Sequence, residues 1–148
     1  MCCKRKSLPL CVKNLDIIKI SEHLELTAYY DIVNVLTIGY GSTYNVKEDQ
    51  HITKDEAEDM LLRDVKIPVN CINSEVCVKL SQNEFDALVS LVYNIGIGNF
   101  RNSTLLKYLN LGEYKKASNE FPKWRKAGGK IIPGLELRRE QEKRLFLS

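Results

Sequence analysis

No run of apolar residues in this 148-residue chain approaches the ~18–20 needed to cross a bilayer, so no membrane-spanning helix is expected. No charged-then-apolar start resembling a secretory leader precedes the first polar residues, either. Proline is scarce at four and glycine modest at eight, which excludes low-complexity or collagen-like architecture. There are only two histidines, and the cysteines have no zinc-like spacing, so no metal or organic cofactor is implied. The five cysteines, Cys2, Cys3, Cys11, Cys71 and Cys77, are odd in number. Without a leader they are expected to be reduced thiols in a cytoplasmic place of synthesis. No stripe of alternating aromatic and basic residues of the kind single-strand binding uses is present, so nucleic acid is the partner least expected.

What is present is the composition of one folded domain: 44% hydrophobic and 28% charged residues, in a chain long enough to bury a core without staples. The net charge of +3 is unevenly spread. Residues 1–13 carry four basic groups and no acid; residues 14–120 carry 10 basic and 16 acidic; residues 121–148 carry 8 basic and 3 acidic. A basic C-terminal segment suits an anionic polymer, although a solvated helix face explains the charge as well.

Asn14 or Asp16 caps a short helix through Leu15, Ile17, Ile18 and Ile20, ending near Glu22 or His23. Thr27–Tyr30 and Val35–Tyr40 read as two strands of a hairpin turning at Val33-Asn34. Beyond them the pattern is helical. Thr53/Glu56 and Ser81/Glu84 are capping boxes; further helices start at Asn102 or Ser103, run over Glu113–Phe121, and run over Leu135–Leu145. The expected fold class is α+β: a basic N-terminal tail at 1–13, then one domain at 14–148. Within it a hairpin lobe (about 24–50) and a helical lobe (about 52–148) would flank a cleft.

Eight residues separate Glu22 from Asp31, and five separate Asp31 from Thr37. Glycosidic hydrolysis needs an acid to protonate the leaving oxygen and a carboxylate to activate water or attack the sugar. Glu22, at the end of an isoleucine-rich helix, suits the acid; Asp31, at the hairpin bend, suits an ionised carboxylate; Thr37, on the returning strand, can steady a water. Spacing alone favours solvated surface charges, because 19 acids make many such pairs.

The letters around these three change the balance. Thr37-Ile38-Gly39-Tyr40-Gly41 follows the acids, and ITKDEAEDMLLRDV (52–65) and SQNEFDALVSLVYNIGIGNFRNSTLL (81–106) come after it. Trp124, Ala127-Gly128-Gly129, Gly134-Leu135 and Arg138-Arg139-Glu140 complete the pattern. Over about residues 14–148 the chain resembles the phage-type lysozymes of glycoside hydrolase family 24. The resemblance implies a lysozyme-like fold, a monomer, and cleavage of the β-1,4 bond between N-acetylmuramic acid and N-acetylglucosamine in peptidoglycan. It implies Glu22 as general acid, Asp31 as base or electrostatic partner, Thr37 as a water-positioning residue, and an inverting reaction with carboxyls ~6.5–9.5 Å apart. It implies substrate contacts at Thr43, Tyr93, Ser103 and Asn119. A core aromatic at Tyr93, a helix cap at Ser103 and plain surface polarity at Thr43 and Asn119 are the alternatives.

Three positions depart from the family pattern. His23 and Asn34 stand where glycine is usual, and both residue types tolerate positive φ. Ser42 replaces a histidine that is structural in relatives. The expected protein is a cytoplasmically made endolysin that reaches the wall through a membrane lesion. The rivals are a weakened wall-binding module, motivated by His23 and Ser42, and a lytic transglycosylase.

Overall fold

The computed structural model describes residues 6–11 and 14–148. It divides into two compact units: residues 18–66, and residues 67–148 with the segment preceding residue 18. The expected α+β class holds, with helices dominant and strands confined to short antiparallel pairs. Helix α1 (Leu15–Glu22) leads into the first unit.

In that unit β1 (Glu25–Tyr30) pairs with β2 (Leu36–Gly39), Tyr29 facing Thr37 and Tyr30 facing Leu36, with a bulge between Glu25 and Tyr29. Residues 50–52 occupy the other edge of β1: the Ala28 N–H donates to Gln50 and the Ile52 N–H to Leu26, both at 2.9 Å. Tyr30 donates its hydroxyl to Glu48, holding the connecting loop to the same strand. Helix α2 (Lys54–Asp64) starts at the expected Thr53/Glu56 capping box and packs on β2. Gly39 has φ +68, so the backbone demands glycine there, while a Cβ would meet the Ala57 Cβ at an ordinary 3.5 Å. The boundary expected near residue 51 moves: α2 packs on β2 and counts with the hairpin, and the unit runs to residue 66.

Between Gly39 and Gly41, both at positive φ, the chain folds back so that Ile38 and Ser42 exchange backbone hydrogen bonds of 2.9 Å. Ser42 is 1% exposed and donates its hydroxyl to Asp64 Oδ2 at 2.5 Å, tying this turn to the end of α2. The short serine thus does a structural job at the position where the family pattern has histidine.

The second unit contains α3 (Lys66–Glu75), α4 (Gln82–Ile95), α5 (Ile97–Arg101), α6 (Thr104–Asn110), α7 (Tyr114–Ser118), a 3-10 turn (Phe121–Lys123), the β3 (Lys126–Ala127) and β4 (Lys130–Ile131) hairpin, and α8 (Pro133–Leu147). Helix α4 opens at the Ser81/Glu84 capping box, and every residue from Phe85 to Val92 is buried, making it the core helix. Its main partner is α8, and Phe121 meets Phe146 with ring centroids 5.4 Å apart. Inside this packing lies a charged cluster. Arg138 and Arg139 lie 3.2 and 2.7 Å from opposite oxygens of Glu142, and all three side chains are at most 2% exposed. Ser90 donates to Glu142 at 2.6 Å, and Arg139 also bonds Asn94 and the Trp124 carbonyl. Burial pushes the Glu142 carboxyl up, while the Arg139 and Arg138 guanidiniums and the Ser90 hydroxyl pull the other way.

Several expectations are revised. Helix α3 was not anticipated; Pro68 sits in its first turn, where a missing N–H costs nothing. The helix expected over Glu113–Phe121 is the short α7 followed by a 3-10 turn, because Pro122 cannot extend an α-helix from Ala117 and Ser118. Pro133 opens α8 instead of preceding it. Part of the expected tail is docked. Leu8 and Asn73 exchange two bonds of 3.0 Å, Gln82 donates to Pro9, and the Cys11 N–H donates to buried Asp86. Cys2 and Cys3 lie outside the described residues. Cys11 and Cys71 are free, but Cys77 is disulfide-bonded, against the expectation of thiols throughout. Burial pushes the Cys71 thiol up, which keeps it an unreactive core side chain. Among the described residues no helix is long and apolar enough to cross a membrane.

Three changes in stability are expected. Glu142→Ala strands two buried guanidiniums and is expected to cost about 3–5 kcal/mol in thermal or urea unfolding. Removing the exposed Lys116–Glu113 pair should cost less than about 0.5 kcal/mol. Ser42→Ala leaves the Asp64 oxygen short of a donor and should cost about 1–2 kcal/mol, with no loss of activity per folded molecule.

Candidate active site

Glu22, Asp31 and Thr37 all belong to the first unit, and the path of the chain explains their spacing. Glu22 is the last residue of α1 and half-buried. His23 follows with φ +56, the left-handed conformation that ends a helix, and thereby turns the chain into β1. The position tolerates His at the place of the usual glycine, as expected.

At the hairpin bend Asn34 has φ +64, again as expected for asparagine in a tight turn. The Asp31 N–H donates to the Val35 carbonyl at 3.0 Å, and the Asn34 N–H to the Asp31 carbonyl at 2.9 Å. Asp31 Oδ1 accepts the N–H groups of Val33 and Val35 at 2.9 and 2.8 Å. One carboxylate oxygen is thus committed to shaping the turn, while Oδ2 takes no protein hydrogen bond among the described residues. Thr37 is 4% exposed and donates its hydroxyl to the Val35 carbonyl at 2.9 Å. Its hydrogen is spent there, so the lone pairs of Oγ1 are what it can offer a water. Asp31 and Thr37 are therefore organised about a single peptide unit, Val35. The five residues between them are the turn and the first step of the return strand.

Tyr29 belongs to the same face and was missed from sequence. It sits two residues before Asp31 on β1 and directly opposite Thr37, so strand alternation and cross-strand pairing place all three on one side of the ribbon. Its hydroxyl is held above its ordinary pKa by burial first, then by the charges of Glu25, Glu22 and Asp31. The raised value keeps this phenol neutral, so it is a hydrogen-bond donor on the strand opposite Thr37. The signal was available: a tyrosine at an even offset from Asp31 in a predicted strand.

The candidate substrate residues fare differently. Thr43 is exposed just after the Ile38–Ser42 turn, in the same unit as the acids. Tyr93 lies half-buried in the last turn of α4. Ser103 is 4% exposed, caps α6 by accepting the Leu106 N–H at 3.1 Å, and donates to Phe100 at 2.6 Å. The capping alternative accounts for both uses of that hydroxyl. Asn119 is exposed, with its carbonyl oxygen taking Lys143 Nζ at 3.0 Å. Among the described residues no group of three or more His, Cys, Asp or Glu is arranged to hold a metal ion.

Known proteins resemble this chain over most of its length. The family model described as phage lysozyme matches residues 19–142. The endolysin of Bacillus phage PZA is 47% identical over 137 residues, covering 90% of this chain and 53% of its own length. The endolysin of Acyrthosiphon pisum secondary endosymbiont phage 1 is 46% identical over 140 residues, covering 92% and 96%. The chain spans about half the length of the Bacillus phage endolysins it matches. Among solved structures, the endolysin from Escherichia coli O157:H7 phage FAHEc1 superimposes with a TM-score of 0.87 at 39% identity, over 97% of this chain and 96% of its own. The muramidase domain of SpmX from Asticaccaulis excentricus gives 0.89 at 33% identity, over 95% and 98%. This chain belongs to the phage lysozyme family.

Proposed function

We propose that this chain is a peptidoglycan hydrolase that cleaves the β-1,4 bond between N-acetylmuramic acid and N-acetylglucosamine, with Glu22 as general acid and Asp31 with Thr37 handling the water. The observation that carries the reading is the arrangement about Val35. Asp31 Oδ2 and the lone pairs of Thr37 Oγ1 stay available while both side chains are held by the Val35 backbone, in the unit that also carries Glu22.

In the proposed cycle a water donates one hydrogen bond to Thr37 Oγ1 and its other proton to Asp31 Oδ2. The water oxygen attacks the anomeric carbon, and Glu22 gives its proton to the departing glycosidic oxygen. The products are two sugar chain ends; Asp31 ends protonated and Glu22 ionised, and exchange with solvent resets both. Because Oδ1 is pinned by two backbone N–H groups, the carboxylate cannot rotate away from the water, which is the preorganisation that such a step requires. Tyr29, neutral throughout, is a donor on the same face. Exposed basic groups of the C-terminal segment, such as Lys126 and Lys130, would favour an anionic wall surface.

Clearing of a purified peptidoglycan suspension tests this. Glu22→Gln and Asp31→Asn should each lower the rate by about 10²–10⁴ while thermal unfolding stays put, since Asn can still accept the Val33 and Val35 N–H groups. Unchanged clearing by either variant rejects the assignment of that residue. A new reducing end identifies hydrolysis, whereas an anhydro-muramic end identifies a lytic transglycosylase; binding without clearing identifies a wall-binding module. Thr37→Val should lose about tenfold or more, with Thr37→Ser recovering much of it, because only the hydroxyl is at issue.

A further inference from the structure

The segment 6–11 is laid along the helical unit by side chains that grip its backbone. The Asn73 amide on α3 exchanges two hydrogen bonds of 3.0 Å with Leu8, pairing with one residue's N–H and carbonyl as a neighbouring strand would. Gln82 Nε2, at the start of α4, donates to the Pro9 carbonyl at 2.7 Å and to Asp86 Oδ1 at 2.8 Å. Asp86, 1% exposed, accepts the Cys11 N–H at 3.1 Å and the Asn14 amide at 2.5 Å. These contacts give the segment a direction. From residue 11 back to residue 9 it passes from Asp86 to Gln82, one turn towards the beginning of α4 and hence towards the α3–α4 connection.

That connection carries Cys77, which is disulfide-bonded. Its backbone is fixed in place. The Cys77 N–H donates to Asn110 Oδ1 on α6 at 2.8 Å, and Asn110 Nδ2 donates to the Glu75 carbonyl at 3.0 Å. Of the five cysteines in the chain, Cys11 and Cys71 are free thiols, so neither is the partner of Cys77. The remaining two are Cys2 and Cys3. Chain length permits the closure. Asn73, which holds Leu8, precedes Cys77 by four residues, at most ~14 Å even if fully extended. The five residues from Cys3 to Leu8 span up to ~17 Å.

We propose that Cys77 is cross-linked to the Cys2–Cys3 pair, an oxidative staple that fixes the N-terminal segment to the helical unit. Two thiols become one S–S bond, and their two electrons and two protons turn a low-molecular-weight disulfide, such as oxidised glutathione, into two thiols. The hydrogen-bonded segment makes the step intramolecular. Whichever of Cys2 and Cys3 stays outside the bond is a thiol beside it, so exchange can swap the partner without net oxidation. The bond closes a loop of about 75 residues, a long constraint on the unfolded chain. Such bonds persist in oxidising surroundings; in reducing ones the segment is held by hydrogen bonds alone. No cysteine belongs to the Glu22, Asp31 and Thr37 set, so the staple acts on stability and leaves the chemistry alone.

The full chain is compared after incubation with oxidised glutathione and after dithiothreitol. One bond uses two of the five thiols, so the oxidised chain should keep three open to iodoacetamide in denaturant, at the mass of a monomer. Tryptic digestion without reductant should yield the fragment ending at Lys4 joined to Cys77 of the fragment 67–79. Reduction should lower the unfolding midpoint by roughly 5–15 °C. It should also speed deuterium exchange at the Leu8 and Cys11 N–H groups, which Asn73 and Asp86 hold. Cys77→Ser, or Cys2→Ser with Cys3→Ser, should give the lower midpoint with or without reductant. Cys11→Ser, or either N-terminal change alone, should keep the difference. A bond from Cys77 to Cys11 or Cys71, a cross-link found only at the mass of a dimer, or a midpoint indifferent to reductant overturns the proposal. None of these readouts needs hydrolysis: failure to clear peptidoglycan rejects the proposed activity and leaves the staple standing.

Discussion

Asp31 Oδ1 accepts two backbone N–H groups, and the candidate catalytic face is built outward from those bonds. They fix the hairpin bend, which brings Val35 alongside Asp31. The Val35 carbonyl then receives both the Asp31 N–H and the Thr37 hydroxyl. A charged acceptor makes such bonds roughly twice as strong as neutral ones, so the turn is stiff although its tip is exposed. The same carboxylate thus has one oxygen committed to the turn and one without a protein hydrogen bond among the described residues. The bonds that stiffen the turn are also what would orient Asp31 in the proposed reaction.

The helical unit is organised on a different principle. Its core is continuous apolar packing around α4, yet it encloses two arginines and a glutamate. Burying charge in this way contributes little net stability compared with an apolar core, and breaking it is severe. What the cluster contributes is position. Arg139 reaches from α8 to Asn94 on α4 and to the Trp124 carbonyl, fixing groups that line a surface pocket. Such a reach requires a long side chain with several donors in a fixed fork, which lysine could not reproduce.

The departures from the family pattern are absorbed locally. His23 and Asn34 adopt the left-handed conformation that glycine would otherwise supply, at a cost of about 1–2 kcal/mol each. Ser42 keeps the Gly39–Gly41 turn tied to α2 through Asp64 with a shorter side chain. None of the three removes an atom from the Asp31–Thr37 arrangement, so the departures that motivated a weakened binding module bear on folding more than on chemistry.

The sequence by itself determined what depends on neighbours along the chain. The capping boxes at Thr53 and Ser81, the buried face of α4, the hairpin and its positive-φ turn residue are local, and each is where the pattern puts it. Glu22, Asp31 and Thr37 stood out as candidates only through their sequence context, because a spacing of acids carries no direction. Only the tertiary structure decided what depends on distant partners. Tyr29 pairs with Thr37 across the hairpin, Ser42 finds Asp64, and α2 joins the hairpin by packing on β2. Arg138 and Arg139 are buried although nothing in their local sequence shows it, since the glutamate and serine that receive them come together only when α8 packs on α4. Charge alone states a preference for water, and burial reverses it only where the fold supplies every partner.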